Sequence, residues 1–339
     1  MKLTALTLSL FGLISTLNAQ KVALHSTGSI QHFTGTTAFA DAYTASNPGD
    51  TIYLPGGGFT PPATIDKSLR IYGAGHYPDS TQVTAKTYIN GNIALTDNAD
   101  GFYLEGVDIN GQLGFSYNTS IDNVIIKYCK MNKIDVYGNN TFTTPSNNLL
   151  FINNVVKGDV LLSNAQNSAL YNNIIEARIQ NSYGNLIENN IVMFSYTGVS
   201  SYYSIHGDNN IVNNNIFLNA SNRYFVGVSN QINNNIFIVA SPIFGTTPIT
   251  SGNYYPVTQS SIFISQSGTT FDYSHDYHLQ SPSTYLGVDA TEVGIYGGFN
   301  GYKEGAVPSN PHFQLKTIAP TTNSSGLLNV QINASAQDN

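Results

Sequence analysis

The sequence contains little cysteine and little charge. Its single cysteine, Cys129, cannot form an intramolecular disulfide, and its apolar neighbours predict a small buried side chain rather than a nucleophile. Lys, Arg, Asp and Glu make up only 10% of the chain, against about a quarter in typical domains. The formal net charge is −7 and no basic cluster is visible in the sequence, which disfavours a nucleic-acid partner.

A second absence is any apolar run of transmembrane length. The apolar N-terminal stretch, residues 3–14, follows a single charge at Lys2 and leads to small residues that end at Ala19. This order is typical of a secretory signal. We therefore expect a signal peptide at residues 1–19 and a mature chain without a transmembrane segment. The protein is then secreted to the cell surface, the extracellular space or the periplasm; a buried N-terminal helix is the alternative.

What the chain does contain is a repeat. The 22 tyrosines, 17 phenylalanines and recurrent Ile and Val argue against disorder. Paired asparagines followed by two apolar residues recur with steps of 19, 17, 25 and 20, and the second Asn of each pair is Asn154, Asn173, Asn190, Asn215 or Asn235. A period of about twenty residues predicts a solenoid. Asn suits its corners, because it tolerates left-handed backbone and its amide can bond to an identical amide on the next coil.

Two degenerate copies place Gly106 and Cys129 at the ladder position. Because parallel crossovers are normally right-handed, we predict an all-β, right-handed parallel β-helix of about ten coils. The predicted parts are a cap at residues 20–49, coils at 50–270, and a C-terminal cap and hairpin at 271–339. A polar tract with chance apolar content, an antiparallel sandwich and a left-handed β-helix fit the spacing less well.

The ends of a solenoid need covering. Residues 36–45 are predicted to form a short helix, with Phe39 and Tyr43 on one face. Residues 315–335 are predicted to form two strands around a turn at residues 323–326. We expect this hairpin to cap the last coil; the alternative is a docking hairpin for a partner.

Three segments resemble a known family. PGDTIYLPGG at residues 48–57 and SLRIYGAG at residues 68–75 look like the entry of secreted β-helix proteins of the pectate-lyase-like superfamily, and residues 276–298 look like its closing segment. The tail at residues 310–339 is similar to tails of uncharacterised β-helix proteins of Bacteroidetes. The resemblance covers most of the mature chain and implies the fold. It leaves the activity open, since the superfamily holds lyases, hydrolases, epimerases and adhesins.

A polysaccharide lyase needs a basic residue to abstract a proton and a cation, usually calcium, to neutralise a uronate carboxylate. Counting from the ladder position gives three catalytic candidates on consecutive coils, Lys133, Lys157 and Arg178. Their coils also carry Asp135, Asp159 and Glu176, so exposed ion pairs are the alternative. The calcium loops and histidine motif typical of pectate lyases are absent. We expect no cofactor, apart from calcium if the protein is a lyase.

Aromatic residues crowd two long coils. The 25-residue step after Asn190 predicts a protruding loop, where binding sites often lie. The candidate glycan-binding residues are Tyr196, Tyr202, Tyr203, Arg223 and Tyr224. The alternative is that these tyrosines form outward ladders on the sheet. His76 and His206 lack metal partners at ligand spacing and are interpreted as loop residues, so no metal site is predicted.

These observations favour a noncatalytic protein that binds polysaccharide or cell-surface glycan. The alternative function is a polysaccharide lyase that cleaves an acidic, uronate-containing glycan by β-elimination. A third hypothesis is a surface fibre or adhesin component that uses its C-terminal hairpin.

Overall fold

The computed structural model describes residues 21–196 and 202–335. The predicted signal peptide therefore lies outside the described residues, as do residues 197–201 of the long coil. The described chain is nearly all β-structure, with one α-helix at Ala38–Ala45 and 3-10 turns at Asp79–Thr81, Gln259–Ser261 and Glu304–Ala306. The helix predicted near the N-terminus is confirmed. None of the helices in these ranges is long and apolar enough to cross a membrane.

The protein is a parallel β-helix, and its strands stack in three rows that we call faces 1, 2 and 3. Face 1 consists of ten parallel strands within the described chain, as the repeat predicted. They are Thr51–Tyr53, Arg70–Tyr72, Tyr103–Glu105, Ile125–Lys127, Leu150–Ile152, Ala169–Tyr171, Leu186–Glu188, Ile211–Asn213, Gln231–Asn233 and Ile249–Ser251. The coil strands thus end at Ser251, some distance before the predicted boundary at residue 270.

Faces 2 and 3 share two long strands, Asp108–Phe115 and Lys130–Val136, which belong to both rows. The other strands of face 2 are Gly57–Phe59, Thr87–Ile89, Val155–Val156, Ile174–Ile175, Ile191–Val192, Ile216–Phe217 and Ile236–Phe237. The other strands of face 3 are Ile93–Leu95, Val160–Leu161, Ile179–Gln180, Ile205–His206, Arg223–Val228 and Ile243–Thr246. The inward side chains of all three faces form one continuous apolar core.

Four further strand pairs lie outside these rows. Lys21–Ser26 and Ser29–Thr34 form an antiparallel hairpin at the N-terminal end, which the sequence analysis did not predict. Ser146–Asn147 pairs with Ala165–Gln166, Phe263–Ser265 with Asp276–Leu279, and His312–Ile318 with Val330–Ser335. The last pair confirms the predicted C-terminal hairpin.

The corner between faces 1 and 2 carries the predicted asparagine ladder. The backbone N–H of Asn154 donates to Oδ1 of Asn173 at 2.9 Å, and Asn173 donates in the same way to Asn190 at 2.9 Å. Each side-chain amide also donates to the next Oδ1, and the series continues through Asn215 and Asn235. The stacked corner amides confirm the register on which the solenoid prediction rested.

Two details of the predicted corner were wrong. The left-handed residue is the first Asn of each pair, for example Asn153 with φ 55° and Asn172 with φ 55°, and not the ladder residue. Gly106, with φ 72°, occupies this first position, so it lies one residue before the ladder, whereas Cys129 does lie in it and donates to Asn154. A sharp corner needs the left-handed conformation at one residue and the inward amide at the next.

A second ladder follows the other end of face 1. The backbone N–H of Ser168 donates to Oδ1 of Asn185 at 3.0 Å, that of Asn185 to Asn210 at 3.1 Å, and that of Asn210 to Asn230 at 2.9 Å. These side chains are buried. Single asparagines carry this corner, which is why the search for Asn pairs missed it.

Residues 252–311, which we call the C-terminal strap, turn back along the outside of the solenoid. The strap leaves the last coils at Tyr254, whose N–H donates to the carbonyl of Asn235, and it first reaches Lys130 with Tyr273. It returns to the last coils, where Asn234 Nδ2 donates to the carbonyl of Leu286 at 2.8 Å. It then runs along the solenoid a second time, passes Asn214 and Asn172, and reaches Glu105, which accepts a hydrogen bond from Ser309. The hairpin that follows therefore lies at the N-terminal end of the solenoid, and the prediction that it caps the last coil was wrong.

Candidate functional site

The outward side chains of face 2 change character along the solenoid. The row comprises Tyr88, Asp108, Lys130, Val155, Ile174, Ile191, Ile216 and Ile236. From Val155 onward these side chains are aliphatic, and the C-terminal strap buries them in a second apolar cluster. The first three are polar or aromatic and line an open depression. The strap thus covers the apolar rungs and leaves the charged rungs accessible.

We call this depression the lysine groove and define it by Lys86, Asp108, Lys130 and Lys157. Its volume is about 190 Å³, and Tyr88, Asn110 and Asn132 also line it. Lys86 Nζ lies 2.6 Å from the buried carboxylate of Asp108, and Lys130 Nζ lies 3.9 Å from it. Lys157 is exposed and forms no ion pair in the described chain. The Asp108 carboxylate therefore pairs with two of the three lysines, and the groove has more positive than negative charges.

Lys130 is the most confined cation of the groove, with 19% of its side chain exposed. Burial lowers the pKa of its ammonium, the Asp108 carboxylate opposes that shift, and the charges of Lys86 and Lys157 add to it. The lysine is held among like charges and away from bulk water. An incoming anion would relieve that unfavourable environment.

An aromatic residue of the strap contacts Lys130 of the groove. Lys130 Nζ donates to the Tyr273 hydroxyl at 3.2 Å and lies 5.0 Å from the centre of its ring. The same hydroxyl lies 3.2 Å from Nδ1 of His76. His76 is fully buried, its Nε2 has no hydrogen-bond partner among the described residues, and burial lowers its pKa to about 3, so it stays neutral. His76 thus lies in a loop, as predicted, although it is buried; His206 lies in the strand Ile205–His206, so its interpretation as a loop residue was wrong.

A tyrosine cleft of about 440 Å³ lies next to the groove, because Tyr273, which contacts Lys130, lines the cleft. Tyr77 and Tyr302 join across it through hydroxyls 2.8 Å apart, and burial raises the pKa of Tyr77 to about 12. Tyr277 and Tyr296 complete its aromatic lining. These phenols stay protonated at neutral pH; Tyr277 and Tyr302 are almost fully buried, and the carboxylates of Asp79, Asp276 and Glu304 also line the cleft.

The structure does not bring the three predicted catalytic residues together. Lys133 lies on face 3 and bonds Asp135 at 2.7 Å. Arg178, also on face 3, bonds both carboxylate oxygens of Asp159, at 3.2 and 2.7 Å. Lys157 alone lies in the lysine groove. For Lys133 and Arg178 the geometry matches the ion-pair alternative.

The predicted aromatic residues lie near each other on face 3, with one exception. Arg178 stacks 4.8 Å from the ring centre of Tyr202, which contacts Tyr196 at 5.3 Å. Arg223 bonds the Tyr203 hydroxyl at 3.2 Å. We call these five residues the face 3 patch; the neighbouring residues 197–201 lie outside the described chain. Tyr224 is the exception and a correction, because it is fully buried among Phe217 and Phe237 and cannot contact a glycan.

Sequence analysis missed Lys86, Lys130, Tyr273 and His76. Lys130 directly follows the ladder residue Cys129, so its outward position was available from the repeat. Lys86 precedes the recognisable repeats, and Tyr273 is 143 residues from Lys130 along the chain. The three lysines of the groove are far apart in the sequence, so no basic run predicted the basic cluster that they form in the fold.

Among the residues that the structure describes, no group of three or more His, Cys, Asp or Glu side chains is arranged to hold a metal ion. Comparisons of the chain with models of known protein families, with curated proteins and with solved structures found no match.

Proposed function

We propose that the protein binds an acidic glycan in the lysine groove and along the tyrosine cleft beside it. The observation that carries this proposal is the positive excess of Lys86, Lys130 and Lys157 on the open rungs of face 2. The rest of that face is covered by the strap. An anionic ligand would balance the positive charge that Asp108 and the neighbouring Glu176 leave uncompensated.

Coil spacing suits a repeating ligand. Neighbouring rungs of a parallel sheet lie about 4.8 Å apart, so charges on successive coils form a row along the solenoid. Lys130 and Lys157 stand on adjacent coils. A polymer with a carboxylate or sulfate on each repeating unit could contact both lysines at once. Charge-assisted hydrogen bonds of this kind are stronger than neutral ones.

The tyrosine cleft supplies the second element of glycan recognition. Sugar rings have apolar faces and polar edges, which match the ring faces and hydroxyls of Tyr77, Tyr273 and Tyr296. Because Tyr273 lines the cleft and touches Lys130, one ligand can extend from the cleft into the groove. The predicted secretory signal and the resemblance to pectate-lyase-like proteins of Bacteroidetes agree with an extracellular polysaccharide as the ligand.

Binding should respond to the groove and not to Lys133. We expect Lys130→Ala and Lys157→Ala each to weaken polygalacturonate binding about tenfold, which corresponds to about 1.4 kcal/mol. Lys133→Ala removes the same charge from the same strand as Lys130, but from an ion pair on face 3. It is the matched control and should leave affinity unchanged. Isothermal titration calorimetry, with a neutral glucan as the control ligand, measures each affinity.

The face 3 patch is tested in the same series. Tyr202→Ala removes its most exposed ring, with 47% of the residue exposed. If glycan binding disappears in Tyr202→Ala and survives in the groove variants, the groove proposal fails and the patch is the site. If no acidic glycan binds the wild-type protein, the proposed function itself fails.

A second candidate function, β-elimination of a uronate-containing glycan, is favoured by the pairing of Lys130 with Tyr273. A neutral Lys130 amine would take the proton next to the uronate carboxylate while Lys86 or Lys157 neutralises that carboxylate. The bond to the leaving glycosidic oxygen would then break, a double bond would form, and the Tyr273 phenol would protonate that oxygen. Ultraviolet absorbance reports the unsaturated product.

Tyr273→Phe separates the two candidates because it keeps the ring and removes the proton donor. For a binding protein, no product forms in wild type or variant and affinity changes little. For a lyase, product forms in the wild type and its rate falls at least tenfold in Tyr273→Phe, while affinity is retained. Calcium and a chelator are compared in both assays, since a bound cation stabilises the negative charge that develops on the uronate during β-elimination.

A further inference from the structure

The last coil of the solenoid has an uncovered end. Ile243–Thr246 and Ile249–Ser251 are terminal strands of their sheets, each paired on one side within the described chain. Their outer edges present unpaired backbone groups. Ile249 is 62% exposed, and Ile243 and Tyr255 are exposed beside it. We call this surface the open end.

The open end lacks the charges that usually protect an edge strand. No Asp, Glu, Lys, Arg or His occurs between Arg223 and Asp272, a stretch that includes both terminal strands. Exposed strands of soluble proteins are normally blunted by charge, proline or a covering element. Pro242 and Pro248 directly precede the two terminal strands but lie outside them, so the strands themselves present an uncharged edge that is suited to pairing with another strand.

The first coil shows how this chain covers an end. The N-terminal hairpin lies across it, and its strand Lys21–Ser26 pairs antiparallel with Thr51–Tyr53 of face 1. Val22 and Leu24 of that strand are buried in the core. A six-residue hairpin strand is thus sufficient to continue face 1 and close the solenoid.

The C-terminal hairpin is also a two-stranded antiparallel sheet. In its own chain, however, it does not lie over an uncovered end of the solenoid. Its strands, His312–Ile318 and Val330–Ser335, form a separate two-stranded sheet among the described residues. Ile332 is 57% exposed, and Ile318, Leu328 and Val330 are exposed as well. An isolated two-stranded hairpin is marginally stable in water, so these apolar side chains favour a partner.

The path of the strap determines where the hairpin lies and therefore which surface it can contact. It carries the hairpin back to the N-terminal end, where Phe313 and Lys316 line a cavity with Tyr53 and Tyr72. About nine rungs, or about 45 Å, then separate the hairpin from the open end of the same chain. A second copy has no such restriction.

We propose that the C-terminal hairpin of one copy pairs with the open end of a second copy, so that the chains associate head to tail. The contact joins two different surfaces, so it is heterologous, and a third copy can add in the same way. The covered area is limited to one coil cross-section and one hairpin. We therefore expect concentration-dependent association rather than a permanent dimer.

Sedimentation velocity of the full mature chain over a range of concentrations tests the proposal. The wild type should shift toward dimers and larger species as concentration rises. Ile249→Lys on the open end and Ile332→Lys on the hairpin should each remain monomeric. Phe299→Lys, which places the same charge on a fully exposed strap residue outside both surfaces, is the matched control and should associate like the wild type.

A mixing experiment tests the head-to-tail geometry. Ile249→Lys keeps an intact hairpin and Ile332→Lys keeps an intact open end, so an equimolar mixture should form a heterodimer that grows no further. A wild type that stays monomeric at every concentration overturns the proposal. So does a mixture that fails to pair, since it points to contact between like surfaces. Circular dichroism of each variant establishes that it is folded.

Discussion

Each corner amide of the ladder is bonded in both directions along the solenoid axis. Asn190 shows the full set: its backbone N–H and Nδ2 donate to Oδ1 of Asn215 at 2.8 and 2.9 Å, and its own Oδ1 accepts both donors of Asn173. Nδ2 also donates to the carbonyl of Leu170. A buried asparagine is costly unless it is satisfied, and here almost every donor and acceptor has a partner.

Replacing one ladder amide should therefore destabilise the fold strongly. Asn190→Leu keeps the branched shape and the number of side-chain heavy atoms but leaves the buried N–H of Asn173 without its acceptor, so we expect a loss of about 3 kcal/mol in the free energy of unfolding. Asn213→Ala is the matched control, because Asn213 is half-buried and donates to Glu188 at only 3.4 Å. Chemical denaturation measures both. Equal losses in the two variants would contradict a special role for the ladder.

At the scale of elements, the strap docks on face 2 through apolar packing and a few polar contacts. One of these joins the backbone N–H of Phe271 to Glu176 Oε1 at 3.0 Å. Burial raises the pKa of Glu176, while this hydrogen bond and the charges of Lys157 and Lys130 oppose the rise. The docked strap thus favours the protonated carboxyl. An acid whose pKa is raised by folding contributes stability below its unfolded pKa and loses that contribution as pH rises through the folded value.

Glu176→Gln should consequently stabilise the protein at neutral pH. The amide keeps the acceptor for Phe271 and removes the buried charge, and the gain should be below about 1 kcal/mol because solvent screens a half-exposed group. The difference between variant and wild type should shrink as pH falls toward 4.5, the ordinary pKa of glutamate. Thermal unfolding followed across that pH range is the measurement. A variant less stable than the wild type at neutral pH would show that the lysine contacts outweigh burial.

At the scale of the whole molecule, stability comes from one apolar core and two amide ladders, without an intramolecular disulfide. The lone thiol of Cys129 is fully buried in the core, and burial raises its pKa to about 12. It is neither exposed nor ionised at neutral pH. Reaction of a thiol with an external disulfide requires an accessible thiolate, so Cys129 can react only when the coils open.

Labelling of Cys129 should therefore report unfolding of the solenoid. We expect the native protein to resist an aromatic disulfide reagent and to react quickly in denaturant. Reducing agent should leave the midpoint of thermal unfolding unchanged. Rapid labelling of the native protein would mean that the coils around residue 129 open locally, which would contradict continuous packing along the core.

The coil architecture follows from local sequence, because the signal repeats. Asn pairs ahead of apolar pairs fix one corner and one core strand in five coils, two degenerate copies extend the series, and the ten strands of face 1 keep the same register. Even so, the sequence analysis placed Gly106 at the ladder position, whereas it lies one residue earlier. The left-handed residue and the ladder residue are adjacent, so the sequence pattern alone does not separate them. The right-handed crossover remains a prediction from the general rule.

The sequence by itself determined the β-helix, its number of coils and its ladder, because identical short-range patterns stack in only one register. The tertiary structure alone decided that Lys86, Lys130 and Lys157 share a groove and that Lys133 and Arg178 do not. Coils differ in length, so outward side chains align by strand register and not by counting. It also decided the contact of Tyr273 with Lys130 and the position of the hairpin, because a strap without a repeat is positioned only by the surface against which it packs.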